Sequence, residues 1–581
     1  MEKRWVLRGQ ADRKQVKELS DRLNIDPFLA NLLIQRGIHS YEQAESFFRP
    51  KLSDLHDPFL MKDMDKAIER IESAIRNQEK ILVYGDYDVD GTTAVALVFT
   101  FLRNFYDKID FYIPDRYTEG YGISFKGIDY AAGQGFSLVI ALDCGIKAVE
   151  KVSYARTKNV DFIVCDHHRP GSELPPACAV LDPKRPDCGY PYKELSGCGI
   201  GFKLIQAYAQ KKQIPFEMLH RYLDLVVVSI ASDIVDITGE NRILAHYGLK
   251  LLNSNPRPGL DAILTVSKME KRAKTNGDLV FSRELTITDL VFLIGPRINA
   301  AGRIESGNNS VKLLICEDRE EARKLGEQIN NFNTERKNLD TLATQQALEM
   351  ISVDEKLQHS KSTVLYNPDW HKGVIGIVAS RLTDHYYRPT VVLTLSGELV
   401  TGSARSVKDF DIYDAIDSCS DLLEHFGGHK YAAGLSLKPE NLAAFTDRFE
   451  KVVTEQLEGR ELVPEIEIDE DLPLNAIHSR FFQVLKQFAP FGPGNMSPLF
   501  RTRGIVDAGG TRIVKNNHIK LYVVHPEISG LPLSGIAFQQ GAHFEKIEKG
   551  IPFNVCYHIE ENEWNGVTSL QLNVKDIQFD S

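Results

Sequence analysis

At 581 residues the chain is too long for one hydrophobic core, and a working size of ~150 residues per domain implies three or four domains. Its 43% hydrophobic and 26% charged residues are an ordinary globular balance, which excludes fibrous and largely disordered classes. A net charge of −11 argues against binding nucleic acid over one broad basic surface, but a local basic groove stays compatible because carboxylates gathered at a metal site inflate the acidic count. No apolar stretch reaches the ~18 residues of a membrane span, and the opening MEKRWVLRGQADRK lacks the apolar core of a secretory signal, so the expected compartment is the cytoplasm. Cys144, Cys165, Cys178, Cys188, Cys198, Cys316, Cys419 and Cys556 form no CxxC pair, and several sit in apolar runs, so neither disulfides nor structural zinc are expected.

Residues 1–80 read as a helical leader. Val16, Leu19 and Leu23, then Leu29, Leu32 and Leu33, then Ala67, Ile68, Ile71 and Ile75 recur at helical spacing, and the leader is expected to pack over the edge of the sheet that follows. From Ile81 to about Ile237, β-rich runs alternate with helical ones, the signature of a doubly wound α/β domain, assigned to 81–317. Ile81–Tyr84, Leu138–Leu142 and Phe162–Cys165 have the length and branching of strands buried in a parallel sheet, with Phe111–Ile113 and Ala179–Leu181 as shorter ones. NSNPRPGL, 253–260, breaks any helix and reads as a local linker.

Across 318–357, Ala322, Leu325, Ile329, Phe332, Leu339, Leu342, Ala343, Ala347 and Ile351 keep helical spacing without a proline. A single long helix bridging two domains competes here with two shorter ones bent near Gly326. A smaller α/β unit follows at 358–457, with strands at Ser362–Leu365 and Thr390–Leu395 around a helix from about Gly373 to Leu382. Its glycine motifs are GVIGIVASR, GSARS with Arg405 on a short loop, and FGGHKYAAG. Backbone N–H groups at a helix start opposite an arginine suit a phosphate, whereas each glycine motif alone also reads as a tight turn. Over 458–581 the pattern changes to alternation, as in His518–Val524 and Ser569–Val574, with a hairpin signal at Trp564-Asn565-Gly566; this fits a small all-β barrel of OB type.

Three acidic clusters stand where apolar runs stop: Asp86, Asp88 and Asp90 in GDYDVDG, Asp143 in LDCG, and Asp166-His167-His168. Strand ends in an open α/β sheet face the ligand crevice, so three stretches deliver carboxylates and imidazoles to one place. One Asp-x-Asp serves a turn as readily, but three gathered clusters repel unless a cation neutralises them. Carboxylate oxygens with an imidazole suit Mn²⁺ or Mg²⁺, and two ions ~4 Å apart would activate a water for attack on a phosphodiester. Asp88 and Asp90 can reach the two ions if the turn at Gly91 is tight, and Asp143 can bridge them. His167 and His168 point differently, so one can bind metal while its neighbour meets the phosphate. A further ligand ends the run Leu219–Ser232: Asp233, with Asp224 and Asp236 competing on sequence alone.

GDYDVDG, LDCG, DHH and ASD occur in the order and setting of the DHH phosphoesterase superfamily. RGIHSYEQAESFFRP, PDRYTEGYG, GPRINAAGR, HKGVIGIVASR, GSARS and GGHKYAAG are similar to the motifs of its RecJ family, so the resemblance covers nearly the whole chain. It implies a multidomain α/β protein: a parallel-sheet DHH domain, a smaller DHHA1 domain joined by a long helix, and a C-terminal OB-like barrel. It implies an exonuclease of DNA repair and recombination that degrades single-stranded DNA from the 5′ end to mononucleotides with two divalent ions. By this resemblance Asp88, Asp90, Asp143, His167 and Asp233 coordinate metal, SIASDIVDI selecting Asp233 over Asp224. His168 then lies beside the scissile phosphate with Asp86 close behind. Asn299, Arg303, Gly373, Arg381, Ser403, Arg405, Gly427, Gly428 and His429 contact the substrate, and Arg116 and Tyr121 sit near the 5′ end. Single-stranded DNA is the expected partner, with a single-strand-binding protein or a helicase as protein partners of a monomer. Some relatives continue past the barrel whereas this sequence stops at Ser581, so contacts through such an extension are not assumed. Two other readings are a phosphodiesterase for short oligonucleotides or cyclic dinucleotides, a class without the barrel, and a silent replication scaffold, against which the intact acidic motifs argue.

Overall fold

The computed structural model describes residues 3–273, 279–528, 530–564 and 566–580. The chain opens with a short strand that helical spacing did not announce, β1 (Arg4–Leu7), paired in parallel with a strand more than 450 residues later. Three helices follow: α1 (Arg13–Leu23), α2 (Pro27–Gln35) and α3 (Tyr41–Phe48). Asp12, Asp26 and Ser40 cap them by accepting backbone N–H bonds. Leu19, Leu29, Leu32 and Leu33 do not cover the parallel sheet. They share a core with Phe481, Phe500, Ile519 and Val555 of the C-terminal barrel, which corrects the expected docking of the leader. Only α4 (Met64–Arg76) behaves as expected, burying Ala67, Ile68 and Ile71 against the α/β core.

The parallel sheet is built from β2 (Lys80–Gly85), β3 (Ile109–Tyr112), β4 (Phe136–Leu142), β5 (Asp161–Cys165) and β6 (Ala179–Leu181), in the order β3-β2-β4-β5-β6. Alternate side chains serve opposite faces. Ile81, Val83, Leu138 and Ile140 meet α4, α5 (Val89–Arg103), α8 (Gly197–Lys211) and α9 (Leu223–Ser232). Leu82, Tyr84, Val139 and Ala141 meet α6 (Phe125–Gly133) and α7 (Val149–Thr157). Burial on both faces explains the continuous apolar runs, and truncating one such side chain to alanine costs roughly 2–5 kcal/mol.

The apolar run 219–232 is a 3₁₀ turn, Phe216–Tyr222, followed by α9. At 253–260 the chain turns from α10 (Gly239–Ser254) into α11 (Pro258–Val266). Arg257, at this corner, forms a bidentate pair with Asp224 at 2.7 and 2.8 Å, so Asp224 is a structural partner and not a ligand. A two-strand ribbon, β7 (Lys271–Ala273) and β8 (Leu279–Phe281), precedes α12 (Ile287–Asp289), a π-helical turn at Leu290–Ile294, α13 (Gly295–Ile304) and α14 (Gly307–Ile315).

The stretch from Asp318 is one helix, α15 (Arg319–Val353), 35 residues or about 52 Å long, with no break at Gly326. Asp318 caps it, and its buried stripe runs from Ala322 and Ile329 on the side of the parallel-sheet domain to Ala343, Ala347 and Ile351. Those last three pack on Ile375, Val378 and Leu382 of the next unit, so one amphipathic helix is buried in both domains. After α16 (Glu355–His359), that unit comprises β9 (Thr363–Tyr366), α17 (Ile375–Tyr386), β10 (Thr390–Ser396), β11 (Leu399–Arg405), α18 (Ile412–Asp417), β12 (His425–His429), β13 (Ala432–Leu437) and α19 (Leu442–Leu457). Its sheet order is β12-β13-β11-β10-β9, with only β9–β10 parallel. One expectation changes here: Arg405 lies at the end of strand β11 rather than on a loop. GVIGIVASR opens α17, and Gly427, Gly428 and His429 belong to the β12–β13 hairpin.

The C-terminal unit starts with β14 (Glu465–Ile468), the partner of β1, and β15 (Glu470–Asp471), then α20 (Ser479–Lys486). β16 (Phe500–Asp507), β17 (Arg512–Val514), β18 (His518–Val524), β19 (Leu533–Ala537), α21 (Phe544–Glu548), β20 (Phe553–Trp564) and β21 (Val567–Gln578) complete it. The strand order β15-β16-β20-β21-β19-β18-β17 closes through β16–β18 pairing into a barrel. β20 and β21 form the expected hairpin, Trp564 opposite Val567; Asn565 of that turn lies outside the described residues. Arg242 of α10 ties three parts together: its guanidinium lies 3.7 Å from the Phe47 ring centroid and donates to the carbonyls of Phe488 and Ala489, each at 2.9 Å. Among the described residues no helix is long and apolar enough to cross a membrane.

Candidate metal centre and nucleotide cleft

The carboxyl ends of β2, β4 and β5 converge as the strand-end argument requires. Gly91 lets the first turn of α5 fold back over the end of β2: a Cβ there would lie 2.4 Å from the Asp86 carbonyl oxygen. Asp88 caps α5 by accepting the Gly91 N–H at 3.0 Å, and Asp90 turns inward one residue pair later. Asp90 accepts the N–H groups of Gly197 and Cys198, both at 2.7 Å, at the start of α8, where the helix dipole favours a carboxylate. The Ser229 hydroxyl lies 2.6 Å from both Asp90 and Ser196. Asp143 sits at φ 59°, a left-handed conformation that costs about 1–3 kcal/mol and accompanies functional sites. Gly197 makes room for it, since a Cβ there would lie 2.6 Å from the Asp143 Cβ.

His167 is the hub. Its Nε2 lies 3.2 Å from Asp143, 3.5 Å from Asp233 and 3.7 Å from Asp90. Two overlapping donor sets result, Asp143–His167–His168 and Asp90–His167–Asp233, each with one ligand atom per residue within 4.8 Å of the others. Asp88 lies in neither set but faces the same cleft. Asp86 is buried and accepts the Gly122 N–H at 3.1 Å. The Asp236 carboxylate is in neither donor set and lies beside Gly494, where a Cβ would come within 3.2 Å of its Cγ.

Asp166 holds His168 in place. It accepts the His168 Nδ1 at 2.8 Å as well as the N–H groups of Ile146, His167 and His168. That leaves His168 Nε2 directed at the cleft, 3.4 Å from the Tyr121 hydroxyl. Burial acts to lower the His168 pKa, but the bond to Asp166 and its charge outweigh it and push it up to about 9, so the ring is cationic at neutral pH. Burial lowers that of His167, which favours the neutral ring a metal would need.

The carboxylates are in the opposite condition. Burial first, then Asp90, Asp88 and Asp233, raise Asp143 well above the usual range; burial and the neighbouring carboxylates raise Asp86 and Asp88 as well, and take Asp233 to about 8. Asp143 Oδ1, Asp86 Oδ2 and both His167 ring nitrogens are buried without a hydrogen-bond partner. A self-repelling oxygen-rich set with a neutral imidazole and orphaned donor atoms fits a hard divalent cation such as Mn²⁺ or Mg²⁺.

The cleft at this centre is about 1020 Å³ and is shared by two domains. Asp88, Tyr121, Asp166, His168 and Asp233 form one wall, and Ser403, Arg405, Gly427, Gly428 and His429 the other. Arg405 donates to Ser403 Oγ at 3.0 Å. Behind it Arg303 donates to the Gly373 carbonyl at 2.8 Å and its own carbonyl accepts from the Tyr117 hydroxyl. Arg116 stacks 4.8 Å from the Tyr87 ring centroid. Burial and the charges of Arg116, Arg336 and Arg405 push Arg303 down to about 10, so these guanidiniums crowd one another and an anion would relieve them. Of the residues named for substrate contact, Arg116, Asn299, Arg303, Gly373 and Arg381 are not part of the cleft wall. Arg381 is paired with Asp340 at 2.6 Å on α15, and Asn299 is half-buried on α13. Sequence reasoning missed the roles of Ser196, Gly197 and Ser229 and left Asp166 without one. SGCGIG, a serine before glycines that open an apolar helix, was the available signal for the first two.

Family models match in chain order: DHH family, N-terminal domain at 80–230, DHHA1 domain at 359–455 and RecJ OB domain at 468–576. The single-stranded-DNA-specific exonuclease RecJ of Bacillus subtilis is 36% identical over 99% of this chain and 70% of its own length. That of Escherichia coli is 32% identical over 98% of this chain and 99% of its own. Among solved structures, RecJ of Thermus thermophilus in complex with Mn²⁺ superposes with a TM-score of 0.84 at 26% identity, covering 100% of this chain and 80% of that one. The Mg²⁺ complex of the same protein gives 0.77 at 25% identity, covering 100% and 79%. The carboxylate–imidazole centre, the arginine wall facing it and these full-length similarities agree: the chain belongs to the RecJ family.

Proposed function

We propose that this chain is a metal-dependent exonuclease that degrades single-stranded DNA from the 5′ end to mononucleotides, in DNA repair and recombination. The observation that carries it is the one cleft in which the His167-centred donor sets face Ser403, Arg405 and the Gly427–Gly428 hairpin. Asp88, Asp90, Asp143, His167 and Asp233 would hold two Mn²⁺ or Mg²⁺ ions, which supply a nucleophilic water near neutral pH and a Lewis acid for the scissile phosphate. Asp143, in one donor set and 3.2 Å from the His167 that both sets share, is the candidate bridge. Asp86 lies behind this shell, its carboxylate anchored by Gly122.

His168 presents a cationic Nε2 to the cleft while Asp166 fixes Nδ1, so the ring can meet phosphate charge as it grows in the transition state. Arg405, Ser403, His429 and, behind them, Arg303 bind the phosphates, and Gly427 and Gly428 let the strand approach the backbone. Arg116 and Tyr121 stand on the side proposed for the 5′ end. The RecJ OB match fits a strand-binding barrel and speaks against an enzyme confined to dinucleotides. The same reading places a monomer in the cytoplasm, with a single-strand-binding protein or a helicase as protein partners.

Digestion of 5′-labelled and 3′-labelled single strands with Mn²⁺ tests it. Labelled mononucleotide should appear first from the 5′ label and not at all with a chelator. Early release from the 3′ label, or chelator-resistant cutting, would overturn the proposal.

A further inference from the structure

A second concavity, about 440 Å³, lies beyond the other end of the metal centre and is lined by Arg169, Lys184, Arg185, Pro186, Cys188 and Lys193. Four of the six are cations and none is acidic. Arg185 is spent on structure: it pairs with Asp63 and, bidentately, with Asp187, and donates to the Val180 carbonyl at 2.6 Å. The other three are available. Arg169 is exposed, Lys193 donates only to the Cys188 carbonyl at 2.7 Å, and Lys184 has a half-exposed pair with Glu194 at 3.1 Å, of the kind worth about 0–1 kcal/mol and readily exchanged.

The sheet order places this pocket. Along the carboxyl edge β3-β2-β4-β5-β6, the Arg116 segment follows β3, the carboxylates follow β2 and β4, and His167-His168 follow β5. Arg169 is the next residue after His168, and Lys184 follows β6, its N–H donating to Asp182 at 2.7 Å. The charge of Lys184 reaches both His167 and Asp233. The metal centre thus has a cationic group on each side, Arg116–Arg303–Arg405 towards β3 and Arg169–Lys184–Lys193 towards β6. Past Lys193 the surface leads to the C-terminal unit: Tyr192 bonds the Asp236 carbonyl, and Ile237 donates to the Pro493 carbonyl at 2.7 Å.

Resting on the proposed exonuclease function, we infer that Arg169, Lys184 and Lys193 form a phosphate subsite for the uncut strand, the part 3′ to the scissile bond on its way to the barrel. The alternative occupant of the same chemistry is the released mononucleotide. The nearby contact of the Asp236–Ile237 segment with Pro493 of the C-terminal unit, and the separate cleft at Arg405, favour the strand.

The test uses the full chain and a fluorescent single strand of about 20 nucleotides, with binding measured by anisotropy in chelator across a salt series. Each neutralised phosphate contact on a single strand contributes about 0.7 to the slope of log K against log salt. Arg169→Gln/Lys193→Gln should make the slope shallower by about 1.4, and Lys184→Gln by about 0.7, while Arg169→Lys/Lys193→Arg should restore it. With Mn²⁺, the efficiency on the long strand should fall relative to that on a 5′-phosphorylated dinucleotide, and inhibition by deoxythymidine monophosphate should not weaken. Wild-type slopes in the Gln variants overturn the subsite, as does weakened nucleotide inhibition without a change in slope, which assigns the pocket to product. A wild-type chain that neither binds nor cuts the strand sinks the exonuclease function itself. Retained melting temperatures separate these outcomes from misfolding.

Discussion

The two walls of the main cleft carry opposite faults. On the DHH side Asp86, Asp88, Asp143 and Asp233 are crowded and wholly or partly buried, so every one of them holds its proton too tightly; on the DHHA1 side Arg405, half-buried, is held below the usual guanidinium range by burial. Neither wall is electrostatically complete, and simple contact between them would not pair the charges, because the cleft keeps them apart. A layer of divalent cations on the first wall and phosphate on those cations and the second wall satisfies both. Each domain is preorganised for one half of a metal–phosphodiester complex.

The largest effect should come from the acidic wall. Asp143→Ala, at the candidate bridge, should lower kcat by roughly 10²–10³ or more without unfolding the protein, because its carboxylate belongs to one donor set and lies 3.2 Å from His167, which both sets share. A variant that binds two ions by calorimetry and cuts at the wild-type rate would remove the metal assignment. His168→Ala comes next. It should reduce kcat by roughly 10²-fold with little change in strand affinity, and Asp166→Asn should reproduce part of that loss by freeing Nδ1. Loss of metal stoichiometry in His168→Ala would make it a ligand, as its place in one donor set allows.

On the opposite wall, Arg405→Ala should raise KM about tenfold while leaving metal binding untouched, since Arg405 is proposed to meet phosphate and its hydrogen bonds go to Ser403 and the Ala404 carbonyl rather than to a carboxylate. A change in Mn²⁺ stoichiometry would break the division of labour between the walls. The smallest effect is in pH. Asp233 has its folded pKa raised to about 8, so between the ordinary carboxylate range and pH 8 the metal-free folded state binds more protons than the unfolded chain. Its contribution therefore makes metal-free stability fall as pH rises through that window. Ion binding displaces the proton, so Mn²⁺ affinity and the melting-temperature gain from Mn²⁺ should both increase from about pH 6.5 to about 8.5, with proton release visible by calorimetry at the lower pH. An affinity independent of pH would show that the carboxylates are already ionised.

Much of this was legible because period and chemistry are local. The doubly wound alternation, the run of helical spacing after Asp318, the barrel's alternation and the strand-end clusters Asp86–Asp90, Asp143 and Asp166–His168 each follow from residues a few positions apart, and buried strands must end where the polar crevice begins. The sequence by itself determined most of the α/β alternation, the long helix and which carboxylates lie at strand ends, but not β1 or the strand that carries Arg405. Only tertiary structure decided what packs on what. The apolar faces of α1 and α2 fit any apolar surface, and they were settled onto the C-terminal barrel by contacts such as Leu29 and Leu32 with the Phe481–Phe500 core and by Arg242 between Phe47 and the Phe488 carbonyl. It likewise took Arg381 for Asp340 and Asp224 for Arg257, and brought the α8 N-terminus to Asp90. A charge or an apolar stripe does not name its partner; long-range packing chooses it, and that choice is not written at any single spacing along the chain.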